Sequence, residues 1–105
     1  MLDKTTAKLP DDCQNMTEVR AGVDTVDAEM MRLLGRRFAY MNAAARIKAD
    51  RDLVRDEARK GQVLDNVEAN ASAQGVPAGF IRNWWEQLVE ASIAYELRIW
   101  DEKRR

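Results

Sequence analysis

The sequence predicts an all-α fold of three helices per chain, the first of them unusually long, and three observations carry that expectation. Apolar residues recur at spacings of three and four over long stretches, and no stretch alternates as a half-buried strand requires. The two prolines, Pro10 and Pro77, leave a long run between them without a helix-breaking ring. At 105 residues the chain has room for one domain, so a deep pocket calls for help from a second copy.

Residues 1–14 are polar and mixed, end in the turn-like Pro10-Asp11-Asp12, and read as a flexible N-terminal tail ahead of a helical domain over 15–105. The first helix can start at Asn15 or Thr17, either of which can cap free amides, with Glu18 placed as the reciprocal partner of Asn15. From there to about Asp50, Val23, Val26, Met30 and Leu33 form a heptad-like stripe. As one helix, residues 16–50 span about 52 Å, whereas a compact chain of this size has a radius of gyration near about 13 Å. The stripe would lie in water unless another subunit covered it, so an intertwined homodimer is the expected assembly. The polar segment Lys48 to Asp56 breaks the period and reads as a connection.

A second helix is expected from about Arg55 to Ala73, with Val63, Leu64, Val67 and Ala71 on one side. Gly75-Val76-Pro77 is a stop followed by a restart. The third helix then runs from about Ala78 to Glu102 and turns Ile81, Trp85, Leu88 and Ile99 inward. Trp84, Trp85 and Trp100 read as core and dimer packing, and Lys103-Arg104-Arg105 as a solvated helix end.

Charge and composition narrow the chemistry. Seventeen Lys and Arg face eighteen Asp and Glu, and a pI near 5.5 gives no support to a nucleic-acid partner. No apolar run approaches the roughly 20 residues of a membrane span, and Met1 to Asp12 lacks the apolar core of a signal peptide, so a cytoplasmic location is expected. A single cysteine, Cys13, fits a reducing compartment. With no histidine, the usual zinc sites and histidine-dependent triads drop out, and neither metal nor cofactor is expected. Carboxylates, Arg, Lys and hydroxyls are left to do any chemistry.

Polar residues interrupt the apolar stripes at a few positions. Continued past Leu33, the first heptad passes through Arg37, Tyr40, Ala44 and Ile47, so a guanidinium stands where the pattern reserves a hydrophobe. Burying it unpaired is costly, and it must meet either a protein carboxylate such as Asp27 or Glu29 or an anionic ligand. Lys48 follows about 16 Å along the axis and about 20° from the same azimuth, with Met41 and Ala44 between. It either snorkels at the helix end or completes a niche of metabolite size. On the third helix, Ser92 and Glu96 lie one turn apart near the azimuth of Trp85. Such a serine can simply bond to the preceding turn. The glutamate can pair with Arg37 or Lys48, or stay protonated on the apolar face as a hydrogen-bond donor. Arg20, about 25 Å before Arg37 and about 100° away in azimuth, cannot share a small ligand with it inside one chain. Antiparallel pairing of two long helices would bring Arg20 to the partner's site. Otherwise it is a solvated arginine.

The arrangement Val19-Arg20 with Asp24 and Asp27, Leu34-Gly35-Arg36-Arg37, Ala44-Ala45-Arg46-Ile47-Lys48, Val54-Arg55-Asp56 with Arg59, and Glu90-Ala91-Ser92-Ile93 with Glu96 resembles the all-helical chorismate mutase family over about residues 14–100. The resemblance implies a homodimer of interlocked three-helix chains with two equivalent sites for a small dicarboxylate. It implies that Arg37 of one chain and Arg20 of the other grip the two carboxylates, and that Lys48 and Glu96 flank the ether oxygen. Arg59 and the backbone near Asp56 would close one side, and Ser92 would line the pocket. The implied reaction is the pericyclic rearrangement of chorismate to prephenate, in which positioning and charge stabilisation replace covalent chemistry.

Two positions depart from the family. Glutamine often stands where this chain has Glu96, and only a protonated glutamate can donate the corresponding bond. Lys60 stands where the mutases usually place a glutamate that accepts the substrate's ring hydroxyl, and lysine cannot accept it. Pro10-Asp11-Asp12-Cys13 and the segment from Gly35-Arg36-Arg37 to Lys48 also resemble the isochorismate-pyruvate lyases, which eliminate pyruvate from isochorismate to give salicylate. Val54-Arg55-Asp56 and Ser92 look more like the mutases. A third expectation, from a different class, is a non-catalytic helical dimerisation module whose internal charges fix the register of pairing.

Overall fold

A computed structural model describes residues 7–105. Residues 1–6 of the expected tail lie outside the described residues. The described chain is helical throughout, with three long helices and no strand among the described residues: α1 (Met16–Ile47), α2 (Glu57–Ala73) and α3 (Ala78–Lys103). None of these is long and apolar enough to cross a membrane. The chain divides into two compact units, one up to Ala39 and one from Tyr40 onward.

In the first unit, Pro10–Asp12 forms a 3-10 turn, closed by the Cys13 amide donating to the Pro10 carbonyl at 3.2 Å. Asn15 caps α1 through its side chain, which accepts from the Glu18 amide at 2.9 Å. The expected reciprocal bond is displaced by one residue, since Glu18 accepts from the Gln14 amide at 2.9 Å. Its other oxygen pairs with Lys8, an ion pair and hydrogen bond that holds the Glu18 carboxyl below its ordinary range and the Lys8 ammonium above its own. A cavity of about 410 Å³ lies among Leu9, Pro10, Cys13, Val19, Val23 and Val26. The heptad stripe is uncovered within the chain, with Val23, Val26, Met30 and Leu33 between 41% and 56% exposed.

The second unit has its own core. Val54, Val89 and Ile93 are buried together, with Val63, Trp85, Leu97 and Trp100 packed around them. Trp84 meets Trp85 edge to face, with ring centroids 5.4 Å apart. Leu64 and Ala71 are buried on α2, which packs along α3. On α2 this is the face that the apolar spacing selects, whereas on α3 Val89 and Ile93 are buried and Ile81, Leu88 and Ile99, expected inward, are only half-buried. Gly75 turns the chain between the two helices with φ of 73°, and the Val76 amide returns to the Ala71 carbonyl at 2.8 Å, a closure that favours glycine at this point.

Two boundaries and one terminal residue differ from expectation. Helix α1 ends at Ile47 rather than near Asp50, because the Lys48 carbonyl accepts from two side chains of the α3 end instead of continuing the ladder. Helix α2 starts at Glu57 because Asp56 serves as its cap. At the other end of α3, Arg104 is not merely a solvated charge, since it supplies one of the two donors to Lys48.

Candidate active site around Lys48 and Glu96

The end of α1 and one face of α3 build a buried polar cluster in the second unit. Lys48 follows the last residue of α1, and its ammonium lies 2.8 Å from the Glu96 carboxylate on α3. The Glu96 side chain is only 5% exposed, whereas that of Lys48 is 29% exposed, so the cation is the partner that solvent reaches. A buried carboxylate without a partner would carry a large desolvation cost, and this ammonium offsets it. Of the two partners expected for Glu96, Arg37 and Lys48, the ion pair is made with Lys48.

Ser92 lies one turn earlier on the same face and is 3% exposed. Its hydroxyl donates to the Leu88 carbonyl at 2.7 Å, the local bond that a buried helical serine commonly makes. Its place beside Glu96 follows from the helical repeat, and its proton is committed to the backbone. Asn42 on α1 donates to the Tyr95 hydroxyl at 2.7 Å, a partly buried contact next to Glu96 in sequence.

Asp56 and Arg59 mark the start of α2. The Asp56 carboxylate accepts from the Arg59 amide at 3.0 Å, and the Arg59 guanidinium donates to Gln62 while remaining exposed. Lys60 is tied to α3, at 2.9 Å from Glu90 and 3.4 Å from Glu86. Glu90 also takes both guanidinium nitrogens of Arg55, at 2.7 and 3.1 Å. Hydrogen bonds from Arg55 first and Lys60 second hold the Glu90 carboxyl down at about 2, and the same bonds raise both cations above their ordinary values.

Arg20 and Arg37 belong to the first unit. Arg20 is exposed and pairs with no described carboxylate, while Arg37 is half-buried and engaged with a neighbour. Among the site residues expected from sequence, the second unit thus brings Lys48, Ser92 and Glu96 to one place and sets Asp56 and Arg59 at a helix start. Sequence reasoning missed Trp100 and Arg104 as partners of Lys48. The signal was present, because Glu96, Trp100 and Arg104 stand four residues apart and share one helix face. The Arg55–Glu90–Lys60 cluster had no such signal, since Glu90 lies 35 residues from Arg55 and 30 from Lys60.

Chemically, the cluster offers a partly exposed cationic donor held by a buried carboxylate, with no histidine in the chain to act as a general base. It suits a reaction that needs an oxygen stabilised as it gains negative charge. The family described as chorismate mutase type II matches residues 19–97. An isochorismate pyruvate lyase from Pseudomonas aeruginosa is 29% identical over 97 residues, which cover 92% of this chain and 96% of the relative.

Proposed function

The chain belongs to the chorismate mutase type II family, and from that premise we propose that it is an enzyme that rearranges chorismate to prephenate. The observation that carries the reading is the Lys48–Glu96 pair, a donor and a carboxylate 2.8 Å apart. Lys48 donates to the ether oxygen as the carbon–oxygen bond breaks and negative charge gathers there. Such a donor is worth on the order of 10²–10³ in rate. Glu96 flanks the same oxygen and holds the Lys48 ammonium beside it.

Arg37 of the same chain and Arg20 of a second copy bind the two substrate carboxylates, and their fork geometry suits bidentate contacts. The support is the heptad position of Arg37, the about 25 Å that separates it from Arg20 along α1, and the uncovered stripe of Val23, Val26, Met30 and Leu33. Asp56, Arg59 and Ser92 complete the substrate contacts. No bond to the protein forms, so catalysis rests on holding the folded conformer and meeting the developing charge.

A second reading, elimination of pyruvate from isochorismate, is favoured by the curated relative and by Lys60. That ammonium is engaged with Glu90, so the position offers no acceptor for a ring hydroxyl. The mutase reading takes its support from the buried Val54, the Asp56 cap and the buried Ser92, which follow the mutase pattern. Purified chain assayed in parallel with chorismate and isochorismate decides between them. Prephenate is the expected product, salicylate plus pyruvate selects the lyase, and no turnover of either leaves the dimerisation module. In that last case Arg37→Ala would change melting or association rather than a rate.

A further inference from the structure

Lys48 is held at both ends of its side chain by one face of α3. Its ammonium meets Glu96 at 2.8 Å, and its backbone carbonyl accepts from Trp100 Nε1 at 3.1 Å and from Arg104 Nη2 at 2.7 Å. Arg104 also stacks its guanidinium 4.0 Å from the centre of the Trp100 ring and donates to the Trp100 carbonyl at 3.3 Å. Next to Trp100, Asp101 takes Arg51 at 2.9 and 3.3 Å and so ties down the connection that leaves Lys48.

The last carbonyls of a helix lack intrahelical partners, and a glycine or water usually completes them. Here two donors from another helix do so, one of them charged, at the negative end of the α1 dipole. The lysine stem has four rotatable bonds, so the reach of its ammonium is defined only as well as its backbone. When a substrate oxygen competes with Glu96 for the ammonium, the carbonyl anchor is the contact that remains.

Building on the catalytic reading above, we propose that Trp100 and Arg104 are positioning residues that act through the Lys48 carbonyl to set where its ammonium meets the reacting oxygen. A displacement of about 1 Å at a catalytic group can cost about 10²-fold in rate. A partial loss of the anchor is therefore expected to cost about tenfold.

The test uses the full chain. Arg104→Ala, an exposed position, is expected to lower kcat about tenfold with KM changed less than about twofold and with melting unaltered. Arg104→Lys, which keeps a cation and one donor, recovers part of the loss, and Trp100→Phe, which keeps a ring but loses the N–H, lowers kcat in the same way. In a Lys48→Ala background, Arg104→Ala adds no further loss, because the two act as one unit. Parental kcat in Arg104→Ala, or a full additional loss in the Lys48→Ala background, overturns the proposal while leaving the enzyme reading intact. An unaltered chain that turns over neither substrate overturns both.

Discussion

From Tyr40 onward eight side chains are buried, six of them apolar and two polar, whereas among the described residues up to Ala39 none is. The later region covers its apolar faces with its own helices and stitches them with ion pairs such as Arg55–Glu90 and Arg51–Asp101. The earlier region carries an equally regular apolar stripe and leaves it in water. A stripe of this kind is stable in isolation only with a partner, since a lone amphipathic helix gains little from propensity alone. One stretch of the chain is therefore a finished core, and the other leaves its apolar stripe open.

The sharpest way to break this contrast is to charge the open stripe. Val26→Asp combined with Met30→Asp is expected to abolish turnover and to reduce the sedimenting mass from twice the chain mass to the 12.0 kDa of one chain, while helix in the later region persists by circular dichroism. An unchanged mass and rate would mean that the stripe serves no assembly.

Complementation sharpens the same point at the site. Arg20→Ala and Arg37→Ala should each lower kcat/KM by about 10²-fold or more. Refolded together in equal amounts, they should recover about a quarter of the parental activity, because half of the dimers are mixed and each mixed dimer has one intact site. No recovery would remove Arg20 from the site of a second copy.

The finished core should respond differently. Ile93→Ala leaves a cavity against Val54 and Val89 and is expected to cost about 2–5 kcal/mol in urea unfolding. A loss confined to association, with unfolding unchanged, would contradict a self-sufficient core.

The smallest effect belongs to the ion cluster at the start of α2. The Glu90 carboxyl is held at about 2, below its ordinary 4.5, so its pairs stabilise the fold above pH 4.5 and that gain is lost as pH falls toward about 2. Glu90→Gln should therefore melt slightly below the parent near neutrality, with the difference closing over that window and shrinking in high salt. A constant difference across pH would assign the effect to packing.

Three helices, the inward face of α2 and most of the helix ends were legible in the residues, because spacing, caps and the Gly75-Val76-Pro77 restart are local signals that a helix obeys without its neighbours. The interruptions at Arg37, Lys48, Ser92 and Glu96 were legible for the same reason: a polar group on an apolar face stands out against the period. What stayed hidden was partnership across long separations. Whether Glu96 would meet Arg37 or Lys48, that Lys60 would be drawn to Glu90 rather than remain available at the site, and that Arg104 would reach back to the Lys48 carbonyl depended on how the end of α1, α2 and α3 pack. Periodicity fixes the direction in which a side chain leaves its own helix. Only tertiary packing decides which charge stands at the other end, because ion pairs form over a few ångströms between groups that the chain separates by dozens of residues.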